Sequence, residues 1–331
     1  FGLVRAAELK DGKASVVIAL TSADESVPTK IKSEVEKTLS LLDGVKEVAV
    51  FVDATKPQAK PEAGQPARPE ALKNVKAILA VASGKGGVGK STVAVNLACA
   101  FAQLFEKAGR PGVSVGLLDC DIYGPSVPLM MGVSGQPEIV DTLIEPLQSH
   151  NVKIMSLGFL VDENSPVLWR GAMVNKAVQQ FLTQVNWGAL EVLIIDLPPG
   201  TGDAQITLSQ TVPLTGAVIV TTPQQAASDV ALRGARLFEK VNVPVLGVIE
   251  NMSYLEDTSG KRDLIFGEGG GAQTAHSLNT EFLGQIPLES ALRQAGDDGK
   301  PIVLGAPQST SAQVFLEVAE HLLHLLARAQ K

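Results

Sequence analysis

Residues 83–92, SGKGGVGKST, decide how this sequence is interpreted. They contain the pattern G-x-x-x-x-G-K-[ST], a glycine loop whose backbone N–H groups surround phosphate oxygens. The apolar run 77–82 before the loop has the composition of a buried strand, and apolar residues recur at helical spacing after it. Because strand, loop and helix follow in the order that the pattern requires, the stretch predicts a site for a nucleoside triphosphate.

Each part of this loop has a chemical role. Its glycines permit positive φ, and the start of the following helix adds partial positive charge at the same point. Lys90 is a candidate catalytic residue that reaches the β- and γ-phosphates, and the Ser91 hydroxyl is a candidate Mg²⁺ ligand. The predicted phosphate-binding set is Gly84, Lys85, Gly86, Gly87, Val88, Gly89, Lys90, Ser91 and Thr92.

The composition excludes several classes of protein. A length of 331 residues suggests about two domains, and 45% hydrophobic residues indicate a globular chain. The net charge of −7 with 4% aromatic residues disfavours a nucleic-acid surface, and the apolar runs fall short of the ~18–20 residues that span a bilayer. Two cysteines give no disulfide framework and favour a reducing compartment. We therefore expect a cytoplasmic protein with no nucleic acid and no membrane as partner.

The chain divides by composition into three parts. Residues 1–52 predict a small α+β domain, with strands at 14–20 and 45–52 and a helix at 28–42. Because the first residue is Phe1, we expect this domain to be incomplete at its start. Residues 53–74 contain four prolines and have the composition of an extended linker.

Residues 75–331 predict a doubly wound α/β domain with a mostly parallel sheet. Apolar runs alternate with helical patterns, and a continuous apolar run is typical of a strand buried on both faces. A final packing helix is predicted at 311–330. The candidate strands are 77–82, 113–118, 152–156, 192–197, 217–222 and 245–249.

Polar residues follow three of these strands. Asp119 and Asp121 follow the second, Asp196 closes the fourth, and Asn251 follows the sixth. Ligands of such folds bind at the carboxyl ends of the strands, and an aspartate closing an apolar strand there holds Mg²⁺ directly or through water. Each aspartate taken alone has a second interpretation as the cap of the next helix. Together with the phosphate loop they predict a metal-assisted nucleotide site.

Four segments carry a family resemblance. They are GKGGVGKST at 84–92, DCDIYGPS at 119–126, IIDLPPGTGD at 194–203 and NMSY at 251–254. They closely resemble the Mrp/ApbC proteins, cytosolic P-loop ATPases similar to MinD and ParA that act as iron–sulfur cluster carriers. The likeness spans about 73–331, and the small first domain resembles the one that precedes the ATPase in many bacterial Mrp proteins.

The resemblance implies an activity, an assembly and roles for individual residues. It implies an Mg²⁺-dependent ATPase that acts as a homodimer around two ATP molecules, with iron–sulfur client apoproteins or assembly factors as partners. Lys85 would reach the partner subunit's phosphates, and Asp121 would orient the attacking water. Asp119 and Asp196 would support Mg²⁺, and Asn251 would lie near adenine. A cation acting on the γ-phosphate from the second subunit also stabilises developing charge.

The sequence departs from the family in one segment. Mrp relatives that carry clusters usually have Cys-x-x-Cys shortly after NMSY, and two such pairs would supply four thiolates for a bridging [4Fe–4S] cluster. Residues 251–270 read NMSYLEDTSGKRDLIFGEGG and contain no cysteine. Cys99 lies among apolar residues of a helix and Cys120 lies between two aspartates, so neither matches the missing pair. The resemblance thus implies a [4Fe–4S] cluster for which this chain lacks the usual ligands.

Two interpretations of that segment stay open. In the first, Glu256, Asp257 and Asp263 coordinate a harder metal than an iron–sulfur cluster. In the second, which we favour, the segment is a solvated turn. A different class of function also remains, a nucleotide-switched positioning or adaptor protein like MinD or ParA. Membrane attachment of that kind favours a basic amphipathic final helix and DNA binding a basic surface, and the sequence indicates neither.

Overall fold

The computed structural model of the chain describes residues 4–10, 13–21, 26–42, 44–45, 47–55, 66–110, 112–121, 124–160, 171–200, 207–209, 211–257 and 259–330. The chain forms two compact units, Phe1–Gly64 and Gln65–Lys331. In the described residues, no helix combines the length and the apolar composition that crossing a membrane requires.

The first unit is a three-stranded sheet with one helix. Strand β2 pairs antiparallel with β1 and parallel with β3. The apolar stripe of α1 packs on Val16, Ile18 and Val50 of the sheet. Strand β1 was not among the predicted elements, because VRAAELK has no continuous apolar run. The elements are β1 (Val4–Lys10), β2 (Lys13–Thr21), α1 (Ser26–Leu39) and β3 (Glu47–Thr55).

The predicted linker at 53–74 contains regular structure at both ends. Strand β3 continues to Thr55, because its parallel pairing with β2 extends to the pair Thr21 and Thr55. A short 3₁₀ helix, Glu70–Leu72, lies at the other end, and Leu72 is fully buried in the core of the second unit. Residues 56–65 lie outside the described part of the chain.

The second unit is built on a nine-stranded, mostly parallel sheet. Its strands are β4 (Val75–Ser83), β5 (Val115–Asp119), β8 (Leu147–Ser149), β9 (Val152–Ser156), β10 (Leu190–Asp196), β11 (Gly216–Thr221), β12 (Val245–Glu256), β13 (Arg262–Asp263) and β14 (Glu281–Leu288). The strand order is β13-β12-β11-β4-β10-β5-β9-β8, with β14 also beside β12. Only β8 and β13 pair antiparallel with their neighbours among these described strands. A separate hairpin is formed by β6 (Ile139–Val140) and β7 (Leu143–Ile144).

Helices connect the strands of this unit. They are α2 (Lys90–Lys107), α3 (Val127–Met130), α4 (Gly171–Gln184), α5 (Gln225–Lys240), α6 (Gly270–Ser277), α7 (Ser290–Asp297), α8 (Ile302–Gly305) and α9 (Thr310–Ala329). Consecutive residues of the central strands are buried, and consecutive side chains point to opposite faces, so both faces of the sheet are covered. The doubly wound α/β fold predicted from the sequence is confirmed.

The six predicted strands and the final helix are all present; β9 has the predicted bounds, and the others have shifted ends. The largest difference concerns β12, predicted at 245–249 and observed as Val245–Glu256. Its outer part bends, with an irregular register between Asn251 and Leu255. Strand β14 was not predicted, because Gly284, Gln285 and Pro287 interrupt its apolar pattern.

Candidate nucleotide-binding site

The glycine loop joins β4 to α2, as the sequence predicts. Gly87 and Gly89 have φ values of +79° and +78°, a conformation that favours glycine. Close packing restricts two positions as well. A Cβ added at Gly89 would lie 2.2 Å from Asn251 Nδ2, and one at Gly84 would lie 2.3 Å from the backbone carbon of Val230 in α5. The loop therefore requires glycine both for its φ angles and for its contacts.

Hydrogen bonds hold the loop in place from three directions. The Ser83 hydroxyl donates to the Lys85 carbonyl at 3.0 Å. The Gly200 N–H, beyond the end of β10, donates to the Ser83 carbonyl at 2.9 Å. The Asn251 amide donates from Nδ2 to the Val88 carbonyl at 2.9 Å. Segments more than a hundred residues apart thus meet at the loop, and Asn251 supports the loop directly.

A buried ion pair lies at the base of the loop. The Lys90 Nζ is 2.5 Å from Asp196 Oδ1, and the two side chains are 5% and 0% exposed. The Lys90 Nζ is also 3.4 Å from the Ser91 hydroxyl. Burial raises the pKa of Asp196, while the charge of Lys90 and the Ser91 hydroxyl lower it. The predicted lysine, serine and strand-end aspartate are therefore brought together.

One oxygen of this cluster makes the site suitable for Mg²⁺. Asp196 Oδ2 is buried and has no hydrogen-bond partner among the described residues. A buried carboxylate oxygen without a partner is costly, and a bound cation would satisfy it. Mg²⁺ prefers carboxylate and hydroxyl oxygens and is commonly held by one or two protein groups together with phosphates. Asp196 and Ser91 fit that donor set.

Asp119 lies beside Asp196 and is held differently. The two aspartates are register partners on β5 and β10. The Asp121 N–H donates to Asp119 Oδ1 at 3.0 Å, and the Ser156 hydroxyl donates to Oδ2 at 2.8 Å. Burial, followed by the charge of Asp196, raises the pKa of Asp119 to about 7. Both oxygens of Asp119 are engaged, so Asp196 is the better candidate for direct contact with a metal.

The two catalytic candidates outside this cluster differ in position. Asp121 is half-buried just beyond β5. Lys85 is exposed on the outer side of the loop, and its side chain forms no hydrogen bond or ion pair with the described residues. It lines a cavity of about 200 Å³ that also touches Met252 and Phe266. The structure thus places a solvent-facing cation beside the phosphate loop.

A larger cavity of about 360 Å³ adjoins the start of α2. Gly89 and Thr92 line it, and its volume is typical of a small-molecule site. Asn251 and Met252 form one wall, and residues 287–289 at the end of β14 form another. The second wall was not predicted, because EFLGQ at 281–285 before it contains no continuous apolar run. The adenine role expected for Asn251 stays a prediction.

The segment that replaces the expected cysteine pair is a tight turn. Asp257 Oδ1 accepts hydrogen bonds from the Ser259 N–H, the Ser259 hydroxyl and the Lys261 N–H at 2.6–3.0 Å. These bonds, led by the one from the Ser259 hydroxyl, lower the pKa of Asp257. Arg262 lies 4.0 Å from the ring centre of Tyr254 and pairs with Glu256 at 3.4 Å. The acidic side chains of Glu256 and Asp257 therefore serve the hairpin itself.

Within the described ranges, no group of three His, Cys, Asp or Glu side chains is arranged to hold a metal. The harder-metal interpretation of the hairpin gains no support from its geometry, and the solvated turn accounts for the contacts observed. Cys99 and Cys120 are 0% and 1% exposed. Burial raises the pKa of Cys99 to about 12 and that of Cys120 well above its usual value. Both thiols are therefore poor cluster ligands.

The fold and the loop define a P-loop NTPase of the doubly wound α/β class. A family model described as "ParA: NUBPL iron-transfer P-loop NTPase" matches residues 74–323. An iron–sulfur cluster carrier protein of Synechocystis is 46% identical over 97% of this chain and 90% of its own length. The iron–sulfur cluster transfer protein NUBPL of Mus musculus is 46% identical over 77% of this chain and 79% of its own length. The chain belongs to this ParA/NUBPL family of iron-transfer P-loop NTPases, as the resemblance predicted.

Solved structures agree with that assignment. A nucleotide-binding protein of Archaeoglobus fulgidus in complex with ADP has a TM-score of 0.60 and 38% identity, over 70% of this chain and 89% of its own. The septum site-determining protein MinD of Pyrococcus horikoshii, complexed with Mg-ADP, has a TM-score of 0.55 over 76% of this chain and 98% of its own. At 22% identity, the second likeness shows the fold alone.

Proposed function

We propose that this protein is an Mg²⁺-dependent ATPase that acts as a homodimer in the assembly of iron–sulfur proteins. The observation that carries the proposal is the buried cluster of Lys90, Ser91 and Asp196 at the base of a glycine loop, beside a cavity of about 360 Å³. The family relatives named as iron–sulfur cluster carriers support the biological role, and the relative in complex with ADP supports the ligand. Both cysteines are free thiols, which suits the reducing cytoplasm.

The phosphates of ATP would bind to the backbone N–H groups of the loop. Lys90 would then contact the β- and γ-phosphates, which neutralises negative charge in a buried site. Ser91 and Asp196 would hold Mg²⁺, with Asp119 supporting them. When bound, the metal ion supplies charge neutralisation at the phosphates. The apolar cavity lined by Met252 and Leu288 would take the adenosine, with Asn251 at its edge.

Two further residues would complete hydrolysis. Asp121, at the carboxyl end of β5, would orient the attacking water by accepting one of its hydrogen bonds. Lys85 would act on the γ-phosphate of the partner subunit, where a cation stabilises the charge that develops in the transition state. Its exposure and its lack of a partner in the described part of the chain support this role. Hydrolysis would then depend on the meeting of two subunits.

The chain's part in iron–sulfur assembly would come from this nucleotide cycle. Neither buried thiol is available to a cluster, and the hairpin at 254–263 supplies no cysteine. We propose that client apoproteins or assembly factors supply the cluster ligands. The ATPase would then control an assembly step without holding a [4Fe–4S] cluster on its own cysteines.

A mixing experiment tests the shared site. Lys85→Ala and Asp121→Ala should each abolish phosphate release from Mg-ATP. An equal mixture should recover roughly a quarter of the wild-type rate, because half of the dimers are mixed and each mixed dimer holds one complete site. Lys85→Arg serves as the charge-retaining control. No recovery from a mixture whose subunits both bind ATP would contradict the role of Lys85 across the dimer.

A further inference from the structure

Glu250 is a fully buried carboxylate in β12, next to the nucleotide site. Its Oε2 accepts a hydrogen bond from the Gly271 N–H at 2.6 Å. Its Oε1 accepts one from Gln285 Nε2 at 2.9 Å. Among the described residues it forms no ion pair, so neutral donors alone compensate its burial. Burying a carboxyl group costs free energy, and these hydrogen bonds offset that cost only where its position is kept.

The residues that follow Glu250 in β12 contact the phosphate loop. The residue after Glu250 is Asn251, whose amide donates to the Val88 carbonyl. Met252 follows with φ +55°, uncommon for a residue other than glycine, and it lines both the larger cavity and the cavity at Lys85. The Ser253 hydroxyl donates back to the Glu250 carbonyl at 2.9 Å. The position of Glu250 therefore determines how this segment lies against the loop.

The second contact of Glu250 leads to the wall of the larger cavity that β14 supplies. Gln285 is the register partner of Glu250 on β14. Two and three residues further along the same strand, Pro287 and Leu288 line the cavity that Met252 also lines. The hydrogen bond between Glu250 and Gln285 thus adds a side-chain contact between the two paired strands that carry the two walls.

The hydrogen bond from Gly271 connects Glu250 to the start of α6. The Gly271 N–H is one of the first donors of this helix, where a carboxylate is favoured by the exposed N–H groups. A Cβ added at Gly271 would lie 2.6 Å from Glu250 Cβ, so only glycine allows this approach. Glu250 is therefore held by a hydrogen bond on each of its two oxygens.

We propose that Glu250 is a positioning residue for nucleotide binding, which joins the Asn251–Met252 wall of the cavity to the β14 wall. The inference rests on the proposed nucleotide-binding function. Its carboxylate holds the side chains of these two paired strands in place against each other and supports the contact of Asn251 with the loop. Without it, the folded protein keeps the phosphate loop and loses the fit of the nucleoside.

Variants that exchange the carboxylate of Glu250 and the amide of Gln285 test this inference. Gln285→Glu places a second carboxylate against Glu250 and should weaken ADP binding at least about tenfold, as loss of a hydrogen bond to a charged group does. The double variant Glu250→Gln/Gln285→Glu restores one carboxylate and one amide and should return the ADP dissociation constant to within about threefold of wild type. Gln313→Glu makes the same change on the exposed face of α9 and should leave binding unchanged.

The measurement is calorimetric titration with ADP and Mg²⁺, with circular dichroism and a thermal melt for each variant. A merely structural role would lower the melting temperature without changing the affinity of the folded protein. If Gln285→Glu does not fold, Gln285→Ala takes its place, with about tenfold weaker binding expected. Wild-type affinity in the folded single variant, or no recovery in a folded double variant, would overturn the inference. Absence of saturable ADP binding by the wild type would instead overturn the proposed function.

Discussion

The glycine loop and the hairpin at 254–263 differ in how the chain uses its charged residues. At the loop, Lys90 and Asp196 are almost completely buried, and one carboxylate oxygen has no partner in the described structure. At the hairpin, Asp257 and Arg262 are exposed and are engaged by neighbouring residues. Buried charge without full compensation indicates ligand chemistry, whereas exposed, satisfied charge indicates a stable turn. The loop therefore has the features of a ligand-binding site, and the hairpin has those of a turn held by its own side chains.

The largest expected effect is on hydrolysis. Lys85→Ala should reduce turnover of Mg-ATP by about a thousandfold, as removal of a cation supplied to the γ-phosphate does. Because Lys85 is exposed and unpaired within the described residues, stability and nucleotide affinity should stay close to wild type. Phosphate release and calorimetric titration measure the two quantities. Undiminished turnover would show that Lys85 has no role in hydrolysis.

The next effect is on folding stability. Lys90→Ala leaves Asp196 buried without its cation and should lower the free energy of unfolding by about 3 kcal/mol in the absence of nucleotide. It should also abolish nucleotide binding. Urea denaturation measures the change, with Lys85→Ala as a control at an exposed lysine of the same loop. Equal stability of the two variants would contradict the buried ion pair.

The strand-end aspartates predict a pH dependence. The folded protein keeps a proton on Asp119 up to about pH 7, whereas the unfolded chain releases it near pH 3.8. The folded state therefore binds more protons between these values, and the contribution of Asp119 to stability falls as the pH rises through them. Asp119→Asn should be more stable than wild type by up to about 4 kcal/mol at pH 8 without metal or nucleotide.

The gain from Asp119→Asn should vanish near pH 4, where wild-type Asp119 is protonated in the folded state. Asn can still accept from the Asp121 N–H and meet the Ser156 hydroxyl, so the hydrogen bonds are kept. Urea denaturation at several pH values provides the measurement. A gain that is independent of pH would show that the effect does not come from the ionisation of Asp119.

The smallest effect is expected at the hairpin. Arg262→Ala removes the contact with Tyr254 and the pair with Glu256, and should cost about 0.5–1 kcal/mol. Turnover of ATP should not change, because Arg262 lines neither cavity beside the loop. A fall in turnover comparable with that of Lys85→Ala would show that the hairpin takes part in ATP hydrolysis.

The parts of the site that follow from short sequence patterns were predictable. The loop is recognised from residues 83–92, and Asp196 from its place at the end of an apolar run. The contacts between these parts depend on residues far apart in the chain, such as Asn251 with Val88 and Glu250 with Gly271. No local pattern encodes them.

The second wall of the cavity was missed for a related reason. Strand β14 has several exposed or half-buried residues and contains glycine and proline, so it lacks the apolar run that revealed the central strands. Its pairing with β12 brings Pro287 and Leu288 to the site. The hairpin, by contrast, was correctly favoured as a turn, because Asp257, Ser259 and Gly260 provide turn chemistry within a few residues.

A variant with an introduced Cys-x-x-Cys pair provides a positive control for iron–sulfur cluster binding. Glu256→Cys/Ser259→Cys places Cys-x-x-Cys at the tip of the hairpin, the spacing that binds clusters in other proteins. The variant should take up iron and sulfide in anaerobic reconstitution, while its ATP hydrolysis stays like that of the wild type. It serves as the positive control for the unmodified chain.

The most direct test of the account is the iron content of the wild-type protein after anaerobic reconstitution with iron and sulfide, measured together with visible absorption. We expect no stable cluster, with iron well below one atom per dimer, in a preparation that hydrolyses Mg-ATP. About four iron atoms per dimer with the absorption of a [4Fe–4S] cluster would contradict it.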